Sequence, residues 1–117
     1  MFNASCHCGH ITLKASYSPE SITRCNCSIC HRIGALWAYY PVADVAIDAN
    51  APLINYQWGK KRITFHSCSN CGSTTHYTMT RNDGSLRTAI NSRMVDAKAI
   101  DAIPVKIFDG ADSWQYL

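Results

Sequence analysis

Seven cysteines gathered into three tight groups constrain this chain more than any other feature: Cys6-His7-Cys8-Gly9, Cys25-Asn26-Cys27-Ser28-Ile29-Cys30 and Cys68-Ser69-Asn70-Cys71-Gly72. An odd number of thiols cannot pair off into disulfides without leaving one over. The opening residues, Met1 to Cys6, carry neither the basic nor the apolar stretch of a secretory leader, so a reducing, cytoplasmic setting is expected. In such a setting, clustered cysteines bind metal more often than they oxidise.

The third group has the spacing of a zinc knuckle. Cysteines three apart curl their thiolates toward one ion, and Gly72 allows the tight backbone beyond the second ligand. The first group is shorter. Cys6 and Cys8 can chelate one ion only if the backbone turns there, which Gly9 makes possible. Joining the two glycine-terminated pairs gives a closed four-thiolate tetrahedron from Cys6, Cys8, Cys68 and Cys71, a structural zinc site tying the N-terminus to the middle of the chain. What remains is Cys25, Cys27 and Cys30, one ligand short of four. Three protein ligands with an open fourth position is the pattern of catalytic zinc. The competing reading is a second structural site closed by a histidine, with His31, His7, His10 and His66 as candidates. Because His31 directly follows a ligand, its side chain is expected to point away from the metal and to lie behind the ligands.

Between the cysteines the chain reads as short strands. Period-two alternation runs over Ile11 to Tyr17, and β-branched or aromatic residues fill Leu53 to Trp58 and Ile63 to His66. Thr74 to Arg81 and Ser85 to Asn91 flank Asn82-Asp83-Gly84, which predicts a hairpin. Val105 to Phe108 reads as a closing strand. The one helical window is Met94 to Ile103, worth a turn or two before Pro104, with Val95, Ala99 and Ala102 or Ile103 on one face. The fold class is therefore mainly β, in a single domain over residues 1–117. A small domain of short strands buries a modest core and gains from metal cross-links.

Composition narrows the function. Apolar residues form 47% of the chain and charged ones 16%, too apolar a balance for disorder. No run approaches the roughly 20 apolar residues of a membrane span. A net charge of +3, with Lys60-Lys61-Arg62 as the one basic run and a solvated turn by expectation, does not mark a nucleic-acid binder. Seven thiolates and two zinc dications would bring that charge close to zero. Of the aromatics, Trp37, Tyr39, Tyr40 and Trp58 are expected in the core or an interface, with Trp37 and Tyr39 close enough in sequence to wall the trio. His76 is expected to be structural. The flanking Arg24 and Arg32 are candidate carboxylate partners, against ordinary surface charge.

These clusters, followed by Gly34, with Phe65 shortly before the third and the tail Ile103-Pro104-Val105-Lys106-Ile107-Phe108 up to Trp114, resemble the glutathione-dependent formaldehyde-activating enzyme family, which includes centromere protein V. The resemblance implies a β-tent fold of antiparallel sheets holding two zinc ions. It implies that Cys6, Cys8, Cys68 and Cys71 form the structural site and that Cys25, Cys27 and Cys30 hold the active-site zinc. The implied activity is that of a carbon–sulfur lyase joining glutathione and formaldehyde as S-(hydroxymethyl)glutathione. Glutathione, or another thiol, and a small aldehyde are then the partners. A noncatalytic zinc-stabilised module that carries a thiol or binds a protein is the alternative. His66 and Ser67 stand between Phe65 and Cys68, where many members place cysteine directly after the phenylalanine, and this leaves His66 without a role.

Overall fold

A computed structural model describes residues 1–117. In chain order the strands are β1 (Phe2–Ser5), β2 (Ile11–Ala15), β3 (Ile22–Cys25), β4 (Trp37–Pro41), β5 (Val45–Ala49), β6 (Leu53–Tyr56), β7 (Ile63–Cys68), β8 (Thr74–Thr80), β9 (Leu86–Asn91) and β10 (Val105–Phe108). Helix α1 (Ser28–Ile33) lies between β3 and β4, and α2 (Ala97–Ile100) between β9 and β10. No helix is long and apolar enough to cross a membrane.

The strands form two sheets. One is three-stranded, in the order β1-β2-β5; the other is seven-stranded, in the order β10-β3-β4-β9-β8-β7-β6. Every pairing is antiparallel except that of β10 with β3, which is parallel. Short connections make β1–β2, β6–β7, β7–β8 and β8–β9 antiparallel neighbours, while the antiparallel β2–β5 and β4–β9 and the parallel β3–β10 join strands far apart in the chain.

Strand alternation gives the large sheet two different faces. Ala38, Tyr40 and Ile90 point toward the small sheet and pack with Phe2, Ala4, Ile11, Leu13 and Ala15 in a shared core that also takes in Cys6 and Cys68. The perfect alternation of burial along β2 comes from this one-sided contact. Trp37, Ala89, Tyr77 and Phe65 point the other way and form a second cluster with Cys30 and Ala35. Cys25 and Cys27 pack on its edge. The two cysteine groups therefore belong to opposite faces of one sheet.

Several expectations shift at their edges. The strand from Ile11 stops at Ala15, and Tyr17 is exposed, its hydroxyl donating to Asp44 Oδ2 at 2.9 Å. The strand from Leu53 stops at Tyr56, leaving Trp58 exposed rather than in a core. The hairpin forms as β8 and β9, closed by Arg81 N–H on the Ser85 carbonyl at 2.8 Å. The window from Met94 to Ile103 breaks into a 3-10 turn over Ser92–Met94 and the short α2, capped by the Asp96 side chain on Lys98 N–H. Of the expected face, only Val95 is buried; Ala99 and Ala102 are exposed. The sequence offers that window as its one helix, yet α1 forms within the second cysteine group. The Lys60-Lys61-Arg62 run is exposed, and His76 is buried.

Candidate metal centres

The first and third cysteine groups sit in matching turns. Cys6 follows β1, and the chain reverses through Gly9, at φ 86°, whose N–H donates to the Cys6 carbonyl at 3.1 Å. Cys68 ends β7, and the chain reverses through Gly72, at φ 78°, whose N–H donates to the Cys68 carbonyl at 2.8 Å. Left-handed backbone at both positions is cheap only for glycine. Each turn also aims an amide at its first sulfur: Ile11 N–H at Cys6 Sγ (3.3 Å) and Asn70 N–H at Cys68 Sγ (3.4 Å).

The four sulfurs Cys6, Cys8, Cys68 and Cys71 lie within 4.8 Å of one another. Cys8 Sγ is 3.6 Å from both Cys6 Sγ and Cys68 Sγ. Zinc–sulfur bonds of about 2.3 Å in a tetrahedron put sulfurs about 3.8 Å apart, so four soft thiolates at this spacing fit zinc. Hydrogen bonding prepares two of the four to ionise. The Asn70 side chain, then His10, holds the Cys8 thiol down at about 5, and Ser73 holds Cys71 at about 6. His10 Nδ1 lies 3.0 Å from Cys8 Sγ. It supports a ligand of this group and does not approach the trio.

The second group is built by α1. Cys25 ends β3, Cys27 is the N-cap of α1 and accepts from Cys30 N–H at 3.4 Å, and Gly34 closes the helix with its N–H on the Cys30 carbonyl. One tight turn thereby faces three sulfurs together, all within 4.8 Å. Trp37 Nε1–H donates to the buried Cys30 Sγ at 3.3 Å. Hydrogen bonding from the Cys30 thiol brings Cys25 down to about 5, while that same contact and burial push Cys30 up. Without metal, the trio thus shares its protons unequally. With three thiolates close together, a cation is what allows all of them to ionise.

No histidine or carboxylate joins the three sulfurs within that distance. His31 is exposed beyond Cys30. His66 lies on the opposite face of the sheet, with Nδ1 against Asn55 Oδ1 (2.7 Å), Nε2 against Thr78 Oγ1 (2.9 Å) and its ring stacked on His76. His7 is exposed in the first cysteine turn. Closure of the trio by an imidazole, one of the two sequence readings, is therefore not what the fold provides.

The C-terminal segment completes the wall. Asn26 Nδ2 donates to Asp109 Oδ1 at 2.9 Å, and Ala111 N–H donates to Asn26 Oδ1 at 3.0 Å. This clasp lays Gly110 against the sulfurs: a methyl group there would stand 2.6 Å from Cys25 Sγ and 3.3 Å from Cys27 Cβ. Sequence reading missed Gly110, since its contact is with residues more than eighty positions away.

Of the two readings of the flanking arginines, carboxylate partner or ordinary surface charge, the structure fits the second: both are exposed. Thr23 pairs with Trp37, which puts Thr23 and Cys25 on one face and Arg24 on the other. Arg32 is exposed and folds back on its own helix, Nη1 donating to the Ser28 carbonyl at 2.9 Å. The cation on the trio's face is instead Arg87, across from Pro41 on β4. Its guanidinium lies 4.1 Å over the Tyr39 ring, and Nη2 donates to Tyr77 Oη at 3.4 Å. Burial pushes both tyrosines upward, so they stay neutral phenols near neutral pH. The expectation that Trp37 and Tyr39 wall the trio is met by Trp37 directly and by Tyr39 through Tyr77.

A small two-sheet β domain with a four-thiol and a three-thiol cluster, each able to hold a metal, is the class that this fold and these sites define. The family model described as glutathione-dependent formaldehyde-activating enzyme matches residues 1–108, and the chain belongs to that family. A crystal structure of a Rhodobacter sphaeroides protein from a structural genomics programme shares the fold, with 26% identity and a TM-score of 0.70 over 88% of this chain and 98% of that one. No curated protein matches the chain.

Proposed function

We propose that this chain is a zinc-dependent carbon–sulfur lyase-type enzyme. It acts on adducts of glutathione, or a similar thiol, with formaldehyde or another small aldehyde. Membership of a glutathione-dependent formaldehyde-activating family supports the substrate class. The single observation that carries the mechanism is the trio itself: three converging sulfurs and no fourth protein ligand. On this reading Cys6, Cys8, Cys68 and Cys71 hold a structural zinc, and Cys25, Cys27 and Cys30 hold the second. A zinc ion in the trio would supply a position at which a thiol remains thiolate at a pH where free thiols, near pKa 8.5, are mostly protonated.

The chain's own residues set the stage for that chemistry. Trp37 fixes Cys30 through its indole N–H, and the clasp between Asn26 and Asp109 holds Gly110 beside Cys25. The Trp37, Phe65 and Tyr77 rings keep water from one side of the sulfurs. In the forward direction a bond forms between the glutathione sulfur and the aldehyde carbon. The carbonyl π electrons pass to oxygen, which takes up the proton that the thiol gave up. The reverse breaks the same bond. A reducing cytoplasm suits seven free thiols.

Exchange spectroscopy on glutathione and formaldehyde tests the reading, because the uncatalysed addition is itself rapid. Wild type should accelerate adduct exchange above the buffer rate, and Cys27→Ala should abolish the acceleration while losing one of two zinc ions. Retained thiol binding without acceleration would identify a carrier instead.

A further inference from the structure

Strand register collects a set of side chains on the trio's face that the reaction above does not use. Trp37 pairs with Asn91, Tyr39 with Ala89 and Pro41 with Arg87, while Tyr77 and Met79 lie across from Ala89 and Arg87. Paired residues in antiparallel strands share a face. The face therefore runs from the sulfurs across Trp37 and Tyr77 to Arg87 without a break. Contacts trace the same line: Cys30 Sγ to Trp37 Nε1 at 3.3 Å, the Trp37 and Tyr77 ring centroids at 4.7 Å, and Tyr77 Oη to Arg87 Nη2 at 3.4 Å.

Arg87 ends this line unneutralised. Its hydrogen-bond partners are a phenol and the Met79 thioether (3.6 Å), and its Nε is buried with no partner. A guanidinium offers five donors in a planar fork, and burying its charge against neutral groups alone is costly. The ring of Tyr39 beneath it supplies some compensation but accepts no in-plane hydrogen bond. A carboxylate would satisfy the fork on both charge and geometry.

We infer that Arg87, with Tyr39 and Tyr77, is a carboxylate-binding subsite that receives an acidic end of the thiol whose sulfur sits at Cys25, Cys27 and Cys30. The inference rests on the function proposed above and assigns its specificity. Asn91, opposite Trp37, is four residue steps along β9 from Arg87, about 13 Å in an extended strand. In glutathione the sulfur is on the central residue, and the extended γ-glutamyl arm from that sulfur to its α-carboxylate, nine bonds long, spans about 11 Å, comparable with that separation. A thiol with no carboxylate reaches the sulfurs and leaves Arg87 empty. The subsite thus selects a peptide-sized acidic thiol over a simple alkyl thiol.

Equilibrium binding on the metal-loaded chain tests this, with circular dichroism and metal content confirming that each variant is folded and loaded. Titration of glutathione into wild type and Arg87→Met should show affinity falling by about 10- to 100-fold, the loss expected for a charge-assisted pair. Arg87→Lys should fall between the two. Affinity for 2-mercaptoethanol should be the same in all three. A parallel measurement on wild type needs no variant: the diethyl ester of glutathione should bind more weakly than glutathione by a similar factor. Equal glutathione affinity in wild type and Arg87→Met overturns the subsite and leaves the proposed function standing. A parallel fall for 2-mercaptoethanol also overturns it, because Arg87 would then be supporting the trio. Wild type that binds neither thiol overturns the subsite and the function together.

Discussion

Gly110 and Cys25 stand so close that a single added methyl would lie 2.6 Å from the sulfur. The neighbouring backbone is held in place by the two hydrogen bonds between Asn26 and the 109–111 segment, so it cannot yield freely. Gly110→Ala should therefore displace Cys25 or spring the clasp. We expect one of two bound metal ions to be lost, with about 1–3 kcal/mol of destabilisation from overpacking. Metal analysis and chemical denaturation check it; two ions retained at full stability would mean that the loop tolerates the methyl.

The two cysteine groups should fail differently. Cys68 is fully buried in the shared core, and its group links turns sixty residues apart, at Cys8 and Cys68. Cys27 caps a short helix at the edge of the other cluster. Cys68→Ala should lower the melting temperature sharply and broaden the transition, since structural zinc contributes its binding energy to folding. Cys27→Ala should keep a cooperative transition. Thermal scans of the two variants side by side decide this, and equal melting temperatures would contradict it.

Trp37→Phe should be felt at the sulfur. Loss of the indole N–H leaves Cys30 without its donor, at a cost of about 1–3 kcal/mol. In cobalt-substituted protein, the more electron-rich sulfur should move the charge-transfer bands to longer wavelength. Absorption spectra of wild type and variant would show the shift, and superimposable spectra would rule out a functional N–H to sulfur bond.

His76 gives acid sensitivity of known sign. Burial, and then the charge of His66, lower it to about 3 from the ordinary 6.5. Since the folded value lies below the unfolded one, the unfolded chain takes up the proton first as pH falls. The folded state is then at full strength above about pH 6.5 and weakens down to about pH 3. The slope is about 1.4 kcal/mol per pH unit, or about 2 kcal/mol between pH 6.5 and pH 5. His76→Gln removes this term, whereas metal release at low pH is common to both proteins. The stability difference between variant and wild type should therefore move in the variant's favour by about that amount on acidification. Denaturation curves at several pH values measure it, and a constant difference would show that His76 does not resist protonation.

The arrangement of the first and third cysteine groups was legible because each site is local: two ligands, a glycine and a reversal within a few residues. The hairpin at Gly84 and the β character of the chain were legible for the same reason. Helix α1 escaped notice because six residues carry too short an apolar period to register. Its signals were the cap at Cys27 and the stop at Gly34.

By itself the sequence determined which atoms could hold metal, since soft ligands at chelating spacing are a property of neighbours along the chain. It also determined that the remaining thiols number three. Only the tertiary structure decided what surrounds those three. Sheet register turned Arg24 away and brought Arg87 to their face, and the C-terminal segment pressed Gly110 against Cys25. Those choices depend on pairings between distant strands, and side-chain alternation sends a residue to one face or the other according to a register that local sequence does not specify.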